Sequence, residues 1–121
     1  MKYMLLIYLD EQALSEVERE QCYGESIQLA QELNASGQYL SANPLQPTST
    51  ATSVRVRNGK QLVTDGPFAE TREQLGGYFL IDAKNHDEAV GIAARIPMAG
   101  RGTVEVRQVI EIAGLPADSS P

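Results

Sequence analysis

Two predicted strands in the second half of the sequence carry acidic, basic and phenolic side chains that could do acid–base chemistry. Glu105 and Arg107 alternate with valines in "TVEVRQVIEI", and Tyr78 and Asp82 flank the apolar residues of "YFLID". Burial raises the pKa of a carboxyl group toward the range of a general acid, whereas a neighbouring arginine lowers it. Tyr78 and Asp82 should face Glu105 and Arg107 from the neighbouring strand. Glu105 and Asp82 are therefore candidate general bases, and a cross-strand salt bridge is the structural alternative.

The segment before Tyr78, "DGPFAETREQLGG", adds candidate contacts for a ligand. Asp65 can accept a hydrogen bond from the backbone amide two residues on, and Gly66 should be extended because a proline follows it. Phe68 could fill either the core or a cleft. Arg72, in "ETRE", could form solvated ion pairs or hold an anion through two parallel hydrogen bonds. A structural turn and a ligand-shaping loop both stay open.

The composition narrows the range of partners. The net charge of -6 disfavours binding to a phosphate backbone, so no nucleic-acid partner is predicted. Cys22 and His86 are the single cysteine and histidine, too few for a zinc site of these ligands, and we predict neither a metal nor a cofactor. The apolar opening "MKYMLLIYL" is too short for a membrane span and lacks a signal-peptide pattern. We therefore expect a cytoplasmic protein with no membrane partner.

The first half of the chain predicts a strand and a long helix. Tyr3 to Leu9 is apolar at nearly every position, which is typical of a central strand covered on both faces. Ser15 followed by Glu18 is a capping box that begins a helix, and Gly37 fits its left-handed end. One apolar stripe should pack this helix on a sheet. The stripe contains Cys22, Tyr23, Ser26, Ile27, Leu29, Ala30 and Leu33.

The clearest local signal is a hairpin around Asn58-Gly59 in "SVRVRNGKQLVTD", because this dipeptide tolerates the backbone angles of a type I′ turn. Before it, Tyr39 and Leu40 form a short apolar step, and the two prolines of "NPLQPTST" predict an irregular loop. The turn also fixes the register of the two strands. It places Val54, Val56 and Val63 on one face, opposite Arg55 and Arg57, and it pairs Val54 with Val63 and Arg55 with Leu62.

The rest of the chain predicts a strand, a helix and a final strand. Tyr78 to Ala83 forms the first of these, and Asn85 caps the helix with Glu88 as its capping-box partner. Pro97 should stop that helix. The last strand spans Thr103 to Ile112, with Val104, Val106 and Ile110 on one side. The helix carries an apolar line of Ala89, Ile92, Ala93 and Ile96.

This order of elements predicts an α+β fold of the ferredoxin-like βαββαβ type, with an antiparallel sheet and both helices on one face. Residues 1–113 should form one domain, and residues 114–121 a disordered tail. The other face of the sheet then lacks a cover, and its mixed charged and apolar side chains suit a ligand cleft roofed by a second copy. We place there Arg55, Arg57, Leu62, Tyr78, Leu80, Asp82, Glu105 and Arg107.

The segment "DGPFAETREQLGGYFLID" resembles the signature of the DGPF branch of the YCII-related (YciI-like) family. The similarity continues in "MKYMLLIY", in "TSVRVRNGK", in "LVTDGPF" and in "EVR", and so covers Met1 to about Ile112. It implies a dimeric α+β barrel, in which two ferredoxin-like subunits bring their open sheet faces together around a cleft. The same fold carries several unrelated reactions, so the resemblance does not choose one.

Three positions depart from the family pattern. Wider members are thought to use a histidine in the first helix with an aspartate, whereas this helix has Cys22 and Tyr23 and no histidine. Arg72 stands where the branch usually has lysine, and Gln108 where proline often follows "EVR". The missing histidine argues against a His–Asp mechanism. Arginine at position 72 keeps the positive charge, and glutamine at position 108 bears on strand geometry and not on chemistry.

Two functions remain as expectations. The first is a small homodimer that binds a small organic anion in the inter-sheet cleft, with metal-free acid–base chemistry. Its candidate ligand contacts are Arg55, Arg57, Asp65, Phe68, Arg72, Tyr78 and Arg107. The alternative is a non-catalytic regulatory or interaction module, for which the resemblance implies a link to sigma-factor-dependent transcription.

Overall fold

A computed structural model describes residues 1–117, in which four strands form one sheet and two more form a separate hairpin. The strands are β1 (Lys2–Leu9), β2 (Tyr39–Pro44), β3 (Thr52–Arg57), β4 (Lys60–Asp65), β5 (Gln74–Asp82) and β6 (Thr103–Gln108), and the helices are α1 (Glu16–Ala35) and α2 (His86–Ala93). The sheet has the order β2-β5-β1-β6, and all its neighbouring strands are antiparallel. The predicted ferredoxin-like α+β fold is confirmed.

The core lies between the sheet and the two helices. Tyr3, Leu5, Phe79 and Ile81 point to the helix side of the two central strands and are at most 3% exposed. Because side chains alternate along a strand, their neighbours face the other way. Both helices add side chains to the same cluster, which places them on one sheet face. These are Cys22, Leu29 and Leu33 from α1 and Ala89, Ile92 and Ala93 from α2, with Ile96 and Met98 after it.

The two helix starts follow the predicted chemistry, one fully and one in part. The Ser15 hydroxyl accepts a hydrogen bond from the Glu18 amide, and the Glu18 carboxylate accepts one from the Ser15 amide, which confirms the capping box. Asn85 accepts from the Glu88 amide at 2.8 Å. The Glu88 carboxylate, however, accepts from the Lys84 amide and not from that of Asn85, so the second capping box is not closed.

Strand β2 lies in a segment where we expected an apolar step and an irregular loop. It is an edge strand that pairs only with β5. An edge strand tolerates a proline at its end, because one side of its backbone forms no ladder, and Pro44 is the last residue of β2. The sequence of β2 is short, includes polar residues and ends in a proline, so the pattern of apolar residues did not predict this strand.

The hairpin β3–β4 has the predicted register but not the predicted location. Val54 pairs with Val63 and Arg55 with Leu62, as the turn required. The two strands form their own sheet, because β2 occupies the place beside β5 where we had expected the hairpin. The positions predicted for Arg55, Arg57 and Leu62 on the four-stranded sheet are therefore wrong.

Three boundaries differ from the prediction. Strand β5 begins four residues before Tyr78, and α2 ends at Ala93, with Pro97 opening a short 3-10 helix. Strand β6 ends at Gln108, so Ile110 does not join its apolar side and is 82% exposed. The predicted tail begins at Gly114, which has a φ of +97°, and its last residues, 118–121, lie outside the described part of the chain.

Candidate functional site

The side of the four-stranded sheet opposite the helices, called here the open face, carries four of the nine predicted site residues. Strand registers place its side chains in two adjacent rows across all four strands. The first row is Asn43, Tyr78, Leu6 and Glu105, and the second is Ser41, Leu80, Met4 and Arg107. Leucines and a methionine thus form an apolar centre, with polar groups toward both edges.

At the β2 edge of the open face, the Tyr78 hydroxyl is held by two neighbours. The Asn43 amide donates to it at 3.0 Å, and the Ser41 hydroxyl lies 3.2 Å away. These hydrogen bonds, that of Ser41 first, lower the pKa of Tyr78, because they stabilise the phenolate form. Tyr78 is therefore a better proton donor than a free tyrosine.

At the β6 edge, Glu105 is paired with a tyrosine and not with an arginine. The Tyr8 hydroxyl donates to the Glu105 carboxylate at 3.3 Å. Burial first, and then the negative charge of Glu105, raise the pKa of Tyr8, which keeps its proton in this bond. Among residues 1–117, Arg107 forms no ion pair, so the predicted cross-strand salt bridge with Arg107 is absent.

Asp82, the second candidate base, lies at the end of β5 and is already engaged. Its carboxylate binds the amino group of Met1 at 2.8 Å, and the same amino group donates to the Ala83 carbonyl. Strand β1 separates β5 from β6, so Asp82 and Tyr78 do not face Glu105 from a neighbouring strand as we expected.

The loop after β4 begins with a hydrogen-bonded turn whose backbone differs from the prediction. Gly66 has a φ of +104° and not an extended conformation, and its amide donates to the Ala51 carbonyl at 2.8 Å. The predicted bond from Asp65 to the amide two residues on cannot form, because that residue is a proline. Phe68 is 84% exposed, which rules out a place in the core. Arg72 pairs loosely with Asp10, at 3.6 Å, and is 91% exposed.

A second concave region lies on the opposite side of the sheet, between α1 and the β2–β5 edge, and is called here the α1 cleft. Its volume is about 1020 Å³. Ile7, Leu9, Ala42 and Phe79 line it from the sheet, Leu14, Arg19, Cys22, Tyr23, Ile27 and Ala30 from α1 and the turn before it, and Leu45 and Pro47 from the loop after β2. The predicted stripe of α1 is thus divided, since Tyr23 and Ile27 are 42% and 59% exposed.

Sequence reasoning missed several residues at both sites. Ser41 and Asn43 were missed because β2, the strand that carries them, was not predicted. Tyr8 could have been found, because it alternates with the inward-facing residues of β1 and so belongs to the other face. Arg19 gave no signal, since an arginine on an amphipathic helix normally faces solvent.

The remaining single residues show no arrangement for metal binding or nucleophilic catalysis. Cys22 is a free thiol, 8% exposed, within the core cluster. The ring of His86 lies edge-on to that of Tyr3, with centroids 6.4 Å apart. Within residues 1–117, no three or more histidine, cysteine, aspartate and glutamate side chains are grouped so as to hold a metal ion. Neither helix in this range combines the length and the apolar character that crossing a bilayer requires.

Comparison with known proteins gives two matches. The family model described as the YCII-related domain matches residues 1–113. The chain is also 37% identical over 116 residues to an uncharacterized protein of Rhizobium meliloti (strain 1021), an alignment that covers 88% of this chain and 90% of the relative.

Proposed function

Since this chain belongs to the YCII-related domain family, we propose that it is a homodimer that binds a small organic anion between the open faces of two subunits. The proposal takes the open face as the site because acidic, basic and phenolic groups meet there in adjacent rows. The α1 cleft is lined mainly by apolar side chains, and its carboxylate, Glu11, is already bound to Thr48.

The first support for a dimer is the apolar centre of the open face. Met4, Leu6 and Leu80 lie on the sheet side that neither helix covers, although a sheet normally buries its apolar face against a second layer. A second copy supplies that layer with a self-complementary surface, which is the commonest form of homodimer. Polar groups at both edges would then border the space between the sheets.

The main support for an anionic ligand is the position and the charge of Arg107. It stands beside an apolar centre and has no ion-pair partner among the described residues. An arginine enclosed by a second sheet needs a counter-charge, because burying an unpaired cation is costly. Tyr78, two strands away and so about 10 Å across the sheet, offers a second donor. A small carboxylate or dicarboxylate fits these two groups.

Tyr78 and Glu105 would have opposite roles in proton transfer. Tyr78, whose pKa is lowered by Ser41 and Asn43, would donate a proton or hydrogen bond to the ligand. Glu105, held by Tyr8, would accept a proton. Asp82 is a weaker candidate, because its carboxylate already binds the chain terminus. No reaction is assigned beyond proton transfer on a bound anion.

Two measurements test the proposal. Sedimentation at micromolar concentration should give a dimer, and Leu6→Glu should convert it to a folded monomer by placing a charge in the apolar centre. Calorimetric titration with succinate should give saturable binding that Arg107→Gln weakens about tenfold and Tyr78→Phe weakens less. A monomeric wild-type chain, or succinate binding indifferent to Arg107, would refute it. Lys60→Gln, at the exposed end of the hairpin, is the control for lost charge.

The hairpin favours a second candidate, the non-catalytic interaction module. Val54, Val56 and Val63 share one face of β3–β4 and are each more than half exposed. Exposed apolar patches of this kind mark contact surfaces. Replacing Val54 and Val63 by serine should abolish capture of a stoichiometric protein partner if this function is correct, and should leave succinate binding unchanged. The link to sigma factors remains a prediction from resemblance.

A further inference from the structure

The α1 cleft is too large to be a packing defect. Protein interiors hold few voids larger than a water molecule, whereas this cleft of about 1020 Å³ is at the upper end of the range for ligand sites. It follows α1 from Arg19 to Asn34, which at 1.5 Å per residue is about 22 Å. A long and narrow molecule fits this shape better than a compact one.

Contacts on either side hold the cleft open. On the far side of α1, Arg101 pairs with Glu18 near its start and Arg95 with Glu32 near its end, which fixes the helix at both ends. On the β2 side, the carboxylate of Glu11 accepts hydrogen bonds from the amide and the hydroxyl of Thr48. This bond ties the loop after β2 to the turn before α1.

The walls of the cleft expose apolar side chains. Ile27, at 59%, and Tyr23, at 42%, are far more exposed than Leu29 and Leu33 on the packed side of the same helix. Ala30 and Ala42 are small residues on opposite walls and leave the space between them unfilled. The sequence thus places apolar groups where a single chain cannot bury them.

One charge in the cleft is uncompensated. Arg19 lines the end where α1 begins, is partly buried, and forms no ion pair with any residue in the range 1–117. The other charged residue of the lining, Glu11, is engaged with Thr48. An apolar channel with a single cation at one end is complementary to an anionic head with an apolar body.

We propose that the α1 cleft binds an amphiphilic carboxylate, with its head at Arg19 and its hydrocarbon body along Tyr23, Ile27 and Ala30. This site lies on the helix side of the sheet and is complete within one subunit, and it shares with the open face only the β2 edge, where Asn43 and Tyr78 line both. Its ligand is also longer and more apolar than succinate. The chain has a net charge of -6, so general attraction of anions does not account for such binding.

Decanoate, used below its micellar concentration, is the probe. Calorimetric titration of the full chain should show one saturable site per chain, which Arg19→Gln weakens about tenfold or more and Arg19→Lys about threefold, because lysine keeps the charge but not the two parallel hydrogen bonds. Lys60→Gln should bind as the wild type does. Decanol, which lacks the charge, should bind equally to the wild type and to Arg19→Gln. Equal decanoate affinity in the wild type and Arg19→Gln would overturn the proposal.

A second measurement does not depend on any variant folding. In the wild-type protein, decanoate should shift the NMR signals of Ile27, Ala30 and Phe79, whereas those of Val54 and Val63 in the hairpin should stay in place. Hexanoate should bind more weakly, because it buries less apolar surface. Shifts confined to the hairpin or the open face, or decanoate that binds only to a monomeric fraction because a second copy fills the cleft, would also refute the site.

Discussion

The four-stranded sheet and the hairpin β3–β4 are built from similar β-forming residues, yet one is the core of the molecule and the other packs against almost nothing. Leu5 in β1 is fully buried, whereas Val54 in β3 is 60% exposed. The difference is one of partners, because β1 has a strand on each side and helices above it, while β3 has only β4. Strand propensity and a good turn form a hairpin, but burial alone makes a strand contribute to global stability.

The largest expected difference between the sheet and the hairpin is in the free energy of unfolding that is lost when one apolar side chain is truncated in each region. Leu5→Ala should lower the free energy of unfolding by about 2–5 kcal/mol, because it leaves a cavity in the core. Val54→Ala should change it by less than about 0.5 kcal/mol. Urea unfolding of both variants measures the contrast. A large cost at Val54 would show that the hairpin is covered in solution by another molecule.

Replacing one glycine in each region by alanine should give a second difference in stability, of intermediate size. A Cβ atom at Gly102, which precedes β6, would lie 2.2 Å from the Tyr8 carbonyl oxygen, so Gly102→Ala forces the two backbones apart and should cost about 1–3 kcal/mol. In the hairpin, Gly59 has a φ of +73°, and alanine there should cost about 1 kcal/mol through backbone strain.

The two glycine variants should also differ in where the loss is observed. Gly102→Ala should lower the global unfolding midpoint, whereas Gly59→Ala should speed amide hydrogen exchange only in β3 and β4, because the hairpin opens locally. A global loss in Gly59→Ala would contradict the separation of the two regions.

The smallest expected effect is a loss of folding stability at low pH. In the packed region this loss should depend on the carboxylate of Glu18. The hydrogen bond from the Ser15 amide, and then the one from Arg101, lower the pKa of Glu18 from 4.5 to about 2. A depressed pKa stabilises the folded state above the ordinary value, and this stabilisation is lost as the pH falls through about 2. The effect is modest because Glu18 is exposed to solvent.

Urea midpoints of the wild type and Glu18→Gln, measured from about pH 5 to about pH 2, check this expectation. The advantage of the wild type should shrink toward zero as the pH falls. Glu70→Gln, in the exposed loop after β4, is the matched control and should follow the wild-type curve more closely. A constant difference between wild type and Glu18→Gln across this range would show that the carboxylate does not titrate as described.

The helix cap and the hairpin turn could be predicted from the sequence, because the residues that form each of them lie within a few positions of one another. Ser15 and Glu18 specify a capping box at three residues' distance, and Asn58-Gly59 specifies a turn and, through it, every pair of the hairpin. Burial along α2 also follows from the periodicity of its apolar residues, and the apolar run of β1 predicted its central place in the sheet, although only its helix side is buried. Family membership followed from the "DGPF" segment and the matching segments elsewhere in the chain, and the fold followed from the order of the predicted elements.

The candidate sites depended on which distant segments meet, and only the tertiary structure decided that. Strand β2 joins β5 across more than thirty residues, and as an edge strand it needs no apolar run to do so. That pairing brings Ser41 and Asn43 to Tyr78, excludes the hairpin arginines from the sheet, and forms one side of the α1 cleft. Turns and caps are fixed by bonds between near neighbours, whereas a site is fixed by competition among strands for the same sheet edge, and that competition is settled by the packing of the whole chain.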